Sequence, residues 1–196
     1  MTILMGKYAY MKKLILASAS PRRKQILTDA GYEFDIITSD KEGEIDKITP
    51  PDKFAVRCAI NKGEDVFSKF EGEEVVLAAD TVVAFNGKIY GKPIDRVDAE
   101  RMLKELSGNT HEVITGYAIL CKNMRQTGKV ITRVTFNNLS SEVLNSYLDS
   151  NLWQGKAGAY GIQDGFPLVE KFEGDYDNVV GLPIKEIDDA LKEFLK

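Results

Sequence analysis

Residues 14–27 have the sequence LILASASPRRKQIL, which joins a short apolar strand to a helix through a turn of small residues. Ser20 is a favourable N-cap and Pro21 a favourable first helical residue, so the stretch predicts a helix that begins at Pro21. Gly31 supplies a natural C-terminal stop. The side chains expected to be buried on this helix are Ile26, Leu27 and Ala30.

The first turn of this helix carries Arg22, Arg23 and Lys24, where the helix dipole favours acidic side chains. Each cation should destabilise the helix by about 0.3–1 kcal/mol unless an anion offsets it. A bound phosphate would do so, because backbone N–H groups, serine hydroxyls and guanidinium groups would converge on it. The alternative is a solvated basic helix end, which short motifs of this kind produce by chance.

The composition favours a folded protein with a small anionic ligand. The 196 residues suit a single domain, and 43% of them are hydrophobic. The net charge of −4 disfavours nucleic acid or an anionic membrane as a partner. Residues 12–24 nevertheless hold five cations and no acid, which indicates a local positive patch.

The chain is expected to be cytoplasmic. No apolar run approaches the roughly 18 residues of a membrane span, and the apolar run after Met11 is too short for a signal peptide. Cys58 and Cys121 lack CxxC spacing and suggest no disulfide framework or thiolate metal site. Residues 1–11 show no assignable pattern and are treated as an extension, whereas residues 12–196 are predicted to form one catalytic domain.

A second helix is predicted to be capped by Thr49 and entered through Pro50 and Pro51. Lys62 falls on its apolar stripe and should point inward, where a charge is costly without a partner. A snorkelling lysine at the edge of the stripe is the alternative. Gly63 beside it weakens the helix but would allow a close approach.

The most apolar strand, predicted at residues 74–85, is interrupted by Asp80. A carboxylate there must be paired, bound to a metal, or located at an exposed end of the strand. Asn86-Gly87 predicts a hairpin into residues 88–90. The remaining predicted elements are a strand at 33–38, a helix capped by Asp95, strands at 110–121 and 130–137, a helix at 140–149, a glycine-rich stretch at 156–165, a strand at 166–172, a loop at 174–181 and a helix opened by Pro183.

Taken together, a cationic helix start, inward lysines, an acid in a central strand and a glycine-rich loop favour phosphate chemistry. The sequence contains no GxxxxGK[ST], GxSxG or HExxH motif, which excludes a P-loop protein. His111, the only histidine, is interpreted as structural because it lacks a nucleophile partner.

Six blocks occur in the order LASASPRRKQIL, AADTVV, YGKP, SGNTHEVITG, KAGAYGIQ and VVGLPI. In this respect the chain strongly resembles Maf-like nucleoside triphosphate pyrophosphatases. The resemblance implies an α/β fold similar to inosine triphosphate pyrophosphatases, with a twisted mixed sheet and a cleft between two lobes. It also implies metal-dependent hydrolysis, with Mg²⁺ or Mn²⁺, of a nucleoside triphosphate to the monophosphate and pyrophosphate, and it favours a homodimer.

The resemblance also implies roles for individual residues. Asp80 matches the proton acceptor and a metal ligand, and Glu42 corresponds to an acidic metal residue. The positions that match phosphate-binding and cleft residues are Ser18, Arg22, Arg23, Lys62, Lys92 and Lys156.

Three positions separate the subclasses of the family, and here they hold Arg22, Thr81 and Gln163, which resembles the dTTP/UTP pyrophosphatases. A glutamine amide offers both donor and acceptor to a pyrimidine edge. Two departures from the family pattern stand out, Asn61-Lys62-Gly63 in place of Glu-Lys-Ala and Asp164 in place of glycine. The alternatives are a pyrophosphatase for a modified nucleotide such as 7-methyl-GTP, and a nucleotide-binding regulator of septum formation with little hydrolysis.

Overall fold

The computed structural model describes residues 12–41, 43–45 and 48–196, so the predicted extension at 1–11 and Glu42 lie outside the described residues. The described chain forms one seven-stranded mixed sheet with helices on both faces, which confirms the predicted α/β class. The strands are β1 Leu14–Leu16, β2 Asp35–Ile36, β3 Val75–Phe85, β4 Lys88–Tyr90, β5 Thr110–Leu120, β6 Arg125–Phe136 and β7 Val169–Glu173. The α-helices are α1 Pro21–Asp29, α2 Pro51–Phe67, α3 Arg96–Leu106, α4 Ser141–Asp149, α5 Tyr176–Val180 and α6 Ile184–Phe194.

The strand order is β2-β1-β3-β5-β6-β7, with β4 also paired to β3. Along one edge of β3, the first residues pair in parallel with β1, and the last such pair is Leu16 with Leu77. Further along the same edge, β3 pairs antiparallel with β4, beginning with Val83 and Tyr90. Within the described residues, the part of β3 at 78–82 has a strand neighbour only on its other side, in β5. This interval is called the β3 gap.

Helix α2 packs unusually close to one face of the sheet. Gly116 is the cross-strand partner of Asp80, and a Cβ added to it would lie 2.4 Å from the backbone of Ala55. Gly63 on the helix likewise faces Ala78, with 3.3 Å between the added Cβ and the alanine methyl. The close approach predicted for Gly63 is therefore present, and it brings α2 against the strand that carries Asp80.

The other face of the sheet carries two separate hydrophobic clusters. One joins the start of β3 to α6 through residues such as Leu77 and Leu191. The second joins the end of β3 to α3 and α4 through residues such as Val83, Leu103 and Tyr147. Val83, Val113 and Tyr160 of this second cluster border a cavity beside the β3 gap.

Most predicted boundaries agree with the structure. Ser20, Asp95 and Ser140 cap helices through their side-chain oxygens, and Asn86-Gly87 forms the predicted turn with both residues at positive φ. The prediction that Thr49 caps α2 is wrong. Pro50 occupies the N-cap position without a side-chain bond, because the two prolines already fix the backbone of the helix start.

Other differences concern short or exposed segments. Helix α1 ends at Asp29, and Ala30, expected to be buried, is exposed. The second strand has only two residues, and the predicted loop at 174–181 contains α5, which Asp175 caps. Strand β6 begins at Arg125, in the polar segment between the two predicted strands, because these residues pair antiparallel with the end of β5. Throughout the described ranges, no helix is long and apolar enough to cross a membrane.

Candidate active site

A cavity of about 400 Å³ opens at the β3 gap. Its walls come from the turn before α1, the centre of β3, the glycine-rich stretch after α4 and the end of α5. The predicted site residues that line it are Ser18, Arg22, Arg23, Lys62, Asp80, Thr81, Lys92, Lys156 and Gln163. Folding therefore brings together every predicted site residue that the structure describes, whereas Glu42 lies outside the described residues.

The turn before α1 is held by its own serines. Ser18 Oγ accepts a hydrogen bond from the Ser20 amide at 3.2 Å, and Ser20 Oγ accepts one from the Arg23 amide at 3.5 Å. Ser18 is buried. This arrangement aims the N-terminal end of α1, with its positive dipole, at the cavity.

Arg23 is fixed by three hydrogen bonds. Its Nε donates to the Gly181 carbonyl at 2.8 Å, one terminal nitrogen donates to Ser18 Oγ at 3.1 Å, and the other donates to Thr81 Oγ1 at 3.0 Å. Burial lowers the pKa of this guanidinium, and the Asp80 carboxylate opposes that shift. Arg23 thus joins α1, β3 and the end of α5 while keeping its charge next to Asp80.

Arg22 instead reaches across the opening. Its Nη2 donates to the Gly155 carbonyl at 3.4 Å, on the loop after α4. Burial lowers the pKa of the Arg22 guanidinium and Asp164 raises it by less. This side chain therefore spans the cavity entrance and can contact an anion from that side.

A chain of hydroxyl groups runs behind Arg23. Thr81 Oγ1 lies 2.9 Å from Thr115 Oγ1, and Thr115 donates to the Asn178 carbonyl at 3.1 Å. With the Thr115 proton used there, the Thr81 hydroxyl has two acceptors in reach, Thr115 Oγ1 and, at 3.5 Å, the Gly181 carbonyl. Thr81 also accepts from Arg23, so its hydroxyl is held between α1, β5 and the end of α5.

Asp80 is paired within the β3 gap, and the alternative that it lies at the end of a strand is wrong. Lys62 Nζ donates to Asp80 Oδ1 at 2.5 Å, and the two side chains are 14% and 17% exposed. The snorkelling alternative for Lys62 is excluded by this contact. The pair places one carboxylate and one ammonium at the wall of the cavity.

A second ion pair lies at the opposite end of the cavity. Lys156 Nζ is 2.5 Å from both carboxylate oxygens of Asp164, and the side chains are 9% and 5% exposed. Tyr147 Oη donates to Asp164 Oδ2 at 2.7 Å, and Gln163 Nε2 donates to Oδ1 at 3.3 Å. Lys156, which the family resemblance places among the phosphate-binding and cleft residues, lines the cavity with its Nζ in contact with both oxygens of this carboxylate.

His111 lies away from the cavity, as its structural interpretation predicts. It is buried between Phe136 and Tyr160, with its Nε2 2.8 Å from Tyr160 Oη. Burial lowers the pKa of the imidazole to about 4. The ring is therefore neutral at physiological pH and serves packing.

The residues that sequence reasoning did not assign are Thr115, Tyr147, Asp164 and Gly181. Thr115 could have been identified from the sequence, because it places a hydroxyl group inside an apolar strand. Asp164 was noticed only as a departure from the family pattern. The contacts of Tyr147 and the Gly181 carbonyl depend on tertiary packing and leave no local pattern.

A protein-family model described as "Maf-like protein" matches residues 13–194. A dTTP/UTP pyrophosphatase of Pyrococcus furiosus is 49% identical over 177 residues, covering 89% of this chain and 91% of the relative. Relatives with the same name occur in two further organisms. The one from Alkaliphilus oremlandii is 44% identical, covering 93% of this chain and 96% of the relative, and the one from Geotalea uraniireducens is 48% identical, covering 91% and 93% respectively. A HAM1 protein of known structure from Coxiella burnetii superposes with a TM-score of 0.49, 13% identity and coverage of 93% and 100%.

Proposed function

This chain belongs to the Maf-like protein family, and on that premise we propose that it hydrolyses dTTP and UTP to the nucleoside monophosphate and pyrophosphate. The names of its relatives, at 44–49% identity, support this substrate class. The observation that carries the proposal is the Lys62–Asp80 pair in the β3 gap, next to a cationic helix start in one cavity. That combination suits a polyanion whose cleavage needs an oriented water.

In this proposal the triphosphate lies against the start of α1. The backbone N–H groups of the first turn and the guanidinium of Arg22 bind phosphate oxygens. Arg23, fixed by its three protein hydrogen bonds, adds positive charge without reorganisation. Lys62 and Lys92 supply further positive charge along the cavity wall.

Asp80 is the proposed general base. Its carboxylate accepts a proton from a water that attacks the α-phosphorus, and the bond from that phosphorus to the α,β-bridging oxygen breaks. Pyrophosphate leaves as a unit and the nucleoside monophosphate remains. Lys62 holds the Asp80 carboxylate in place through their hydrogen bond.

We propose that a divalent cation, Mg²⁺ or Mn²⁺, binds at Asp80. Magnesium is usually held by one or two carboxylates together with substrate phosphates and waters, and Asp80 supplies such a carboxylate. Among the described residues, no group of three or more His, Cys, Asp or Glu could hold a metal ion, so phosphate oxygens would complete the site. Asp80 and Glu42 are the proposed ligands, and the bound cation would neutralise charge on the phosphates.

We further propose a cytoplasmic protein that acts on free nucleotides, binds neither nucleic acid nor membrane, and forms a homodimer. The net charge of −4 supports the absence of a polyanionic partner.

The test is to incubate the purified protein with a nucleotide panel and Mg²⁺ or Mn²⁺ and to assay both pyrophosphate and orthophosphate. The panel contains dTTP, UTP, CTP, GTP and 7-methyl-GTP. Pyrophosphate from dTTP and UTP in preference to the others is expected. Preference for 7-methyl-GTP would favour the modified-nucleotide alternative, and tight binding without product would favour the septum regulator.

A further inference from the structure

Asp164 lies behind the cavity wall and touches two residues that form that wall. It does not line the cavity itself, whereas its partners Lys156 and Gln163 do. Its carboxylate accepts from Lys156, from Tyr147 and from the Gln163 side-chain amide. A residue in this position can act on a ligand only through the groups it holds.

The contact with Gln163 determines which way that amide faces. An ionised carboxylate only accepts hydrogen bonds, so Gln163 must turn its NH₂ group toward Asp164. The nitrogen lies 3.3 Å from Asp164 Oδ1. The carbonyl oxygen of Gln163, which is an acceptor, is then the end of the amide left for a ligand.

Two further contacts hold the carboxylate in position. Lys156 balances its charge, and Tyr147, which is completely buried, fixes Oδ2 at 2.7 Å. Burial, assisted by the bond to Asp164, raises the pKa of Tyr147, so the phenol remains a donor. Gly161 leaves room for this arrangement, since a Cβ there would lie 2.6 Å from Gln163 Nε2 and 2.7 Å from Asp164 Oδ1.

A carbonyl oxygen held in one orientation, such as that of Gln163, distinguishes between the pyrimidine bases. Uracil and thymine carry a hydrogen on ring nitrogen N3, whereas N3 of cytosine carries a lone pair and would repel a carbonyl oxygen. Resting on the proposed function, we infer that Asp164 is a positioning residue that fixes Gln163 to accept a hydrogen bond from the N3–H of uracil or thymine and thereby excludes cytosine.

The experiment compares kcat/KM for UTP and CTP in the wild type and in Asp164→Asn. Asparagine can present either its oxygen or its NH₂, so Gln163 can adopt both orientations and the UTP-to-CTP ratio should fall about tenfold. Asp149→Asn, which removes an exposed ion pair with Arg96, should keep the wild-type ratio.

Gly161→Ala provides a second variant that displaces the Gln163 amide without altering either polar residue, and its ratio should fall in the same direction. If Asp164→Asn does not fold, Gly161→Ala decides the question. Absence of pyrophosphate from UTP with wild-type protein would contradict the proposed function itself. A wild type that hydrolyses UTP but does not prefer it over CTP, or folded variants that retain the wild-type ratio, would overturn the role of Asp164 alone.

Discussion

Lys62 Nζ and Asp80 Oδ1 lie 2.5 Å apart, and this contact joins the middle of α2 to the β3 gap. Among the described residues, the gap is the stretch of β3 that has a strand neighbour on one side only. A helix and a strand meet there because Gly116 and Gly63 remove the side chains that would separate them. The proposed base is therefore held by the core packing of the protein.

Asp80→Asn should lower kcat about 1000-fold, because the amide cannot accept the proton of the attacking water. Nucleotide affinity, measured by calorimetry without added Mg²⁺ or Mn²⁺, should change little, since the first turn of α1 and Arg22 are intact. Asp52→Asn is the matched control, because Asp52 also pairs with a lysine, Lys129, between α2 and the sheet, away from the cavity. Undiminished hydrolysis in Asp80→Asn would remove Asp80 from the mechanism.

Lys62→Met should destabilise the protein by about 3 kcal/mol, because it leaves the largely buried Asp80 carboxylate without its cation. Urea unfolding measures this difference. The change should also reduce kcat, as the carboxylate loses its orientation. A folded Lys62→Met protein with wild-type stability and turnover would show that the ion pair is dispensable.

Arg23→Lys should behave differently from Arg22→Lys. A lysine cannot reproduce the fork that joins Gly181, Ser18 and Thr81, so thermal stability and activity should both fall. Arg22 makes one exposed contact of 3.4 Å, so its replacement should raise KM with little change in the melting temperature. Equal losses of stability in the two variants would contradict the separate roles.

Thr115→Val should destabilise the protein by about 1–3 kcal/mol, because the buried Asn178 carbonyl loses a donor and Thr81 loses one hydrogen-bond partner. Thr115→Ser retains the hydroxyl and should recover most of the kcat lost in Thr115→Val. Failure of serine to restore activity would indicate that the methyl group, and not the hydroxyl, matters. Denaturant unfolding and steady-state kinetics distinguish these effects.

His111 should make stability depend on pH. Burial lowers its pKa to about 4, below the ordinary value of 6.5, so the unfolded chain binds the proton more tightly. The stabilisation is fully present above pH 6.5 and is lost as the pH falls toward 4, by about 3 kcal/mol. Subtracting the urea-unfolding profile of His111→Phe should isolate this slope, and parallel profiles would contradict it.

Much of the fold follows from local sequence patterns. The cap at Ser20, the turn at Asn86-Gly87 and the inward position of Lys62 each depend on a few neighbouring residues. Helix α5 was missed because five residues give too little periodicity to distinguish a helix from a loop. The Thr49 cap was wrong because adjacent prolines can begin a helix without a side-chain cap.

The sequence predicted which residues form the candidate site, but only some of the contacts between them. Apolar surroundings showed that Asp80 needs a partner, and helical spacing showed that Lys62 points inward. The partners themselves depend on the sheet register, which no local pattern supplies. The pairing of Lys156 with Asp164 is a further example, because the family resemblance assigned Lys156 to the cleft but indicated no partner for it.

The bond from Arg23 to the Gly181 carbonyl joins residues 158 positions apart. During synthesis the amino-terminal strand, α1 and most of the sheet leave the ribosome before this carbonyl exists. A nascent chain that ends before α5 therefore has the proposed base and its lysine, but lacks the acceptor that holds Arg23 over the cavity. The position of Arg23 over the cavity is therefore completed only when the end of α5 packs against α1 and β3.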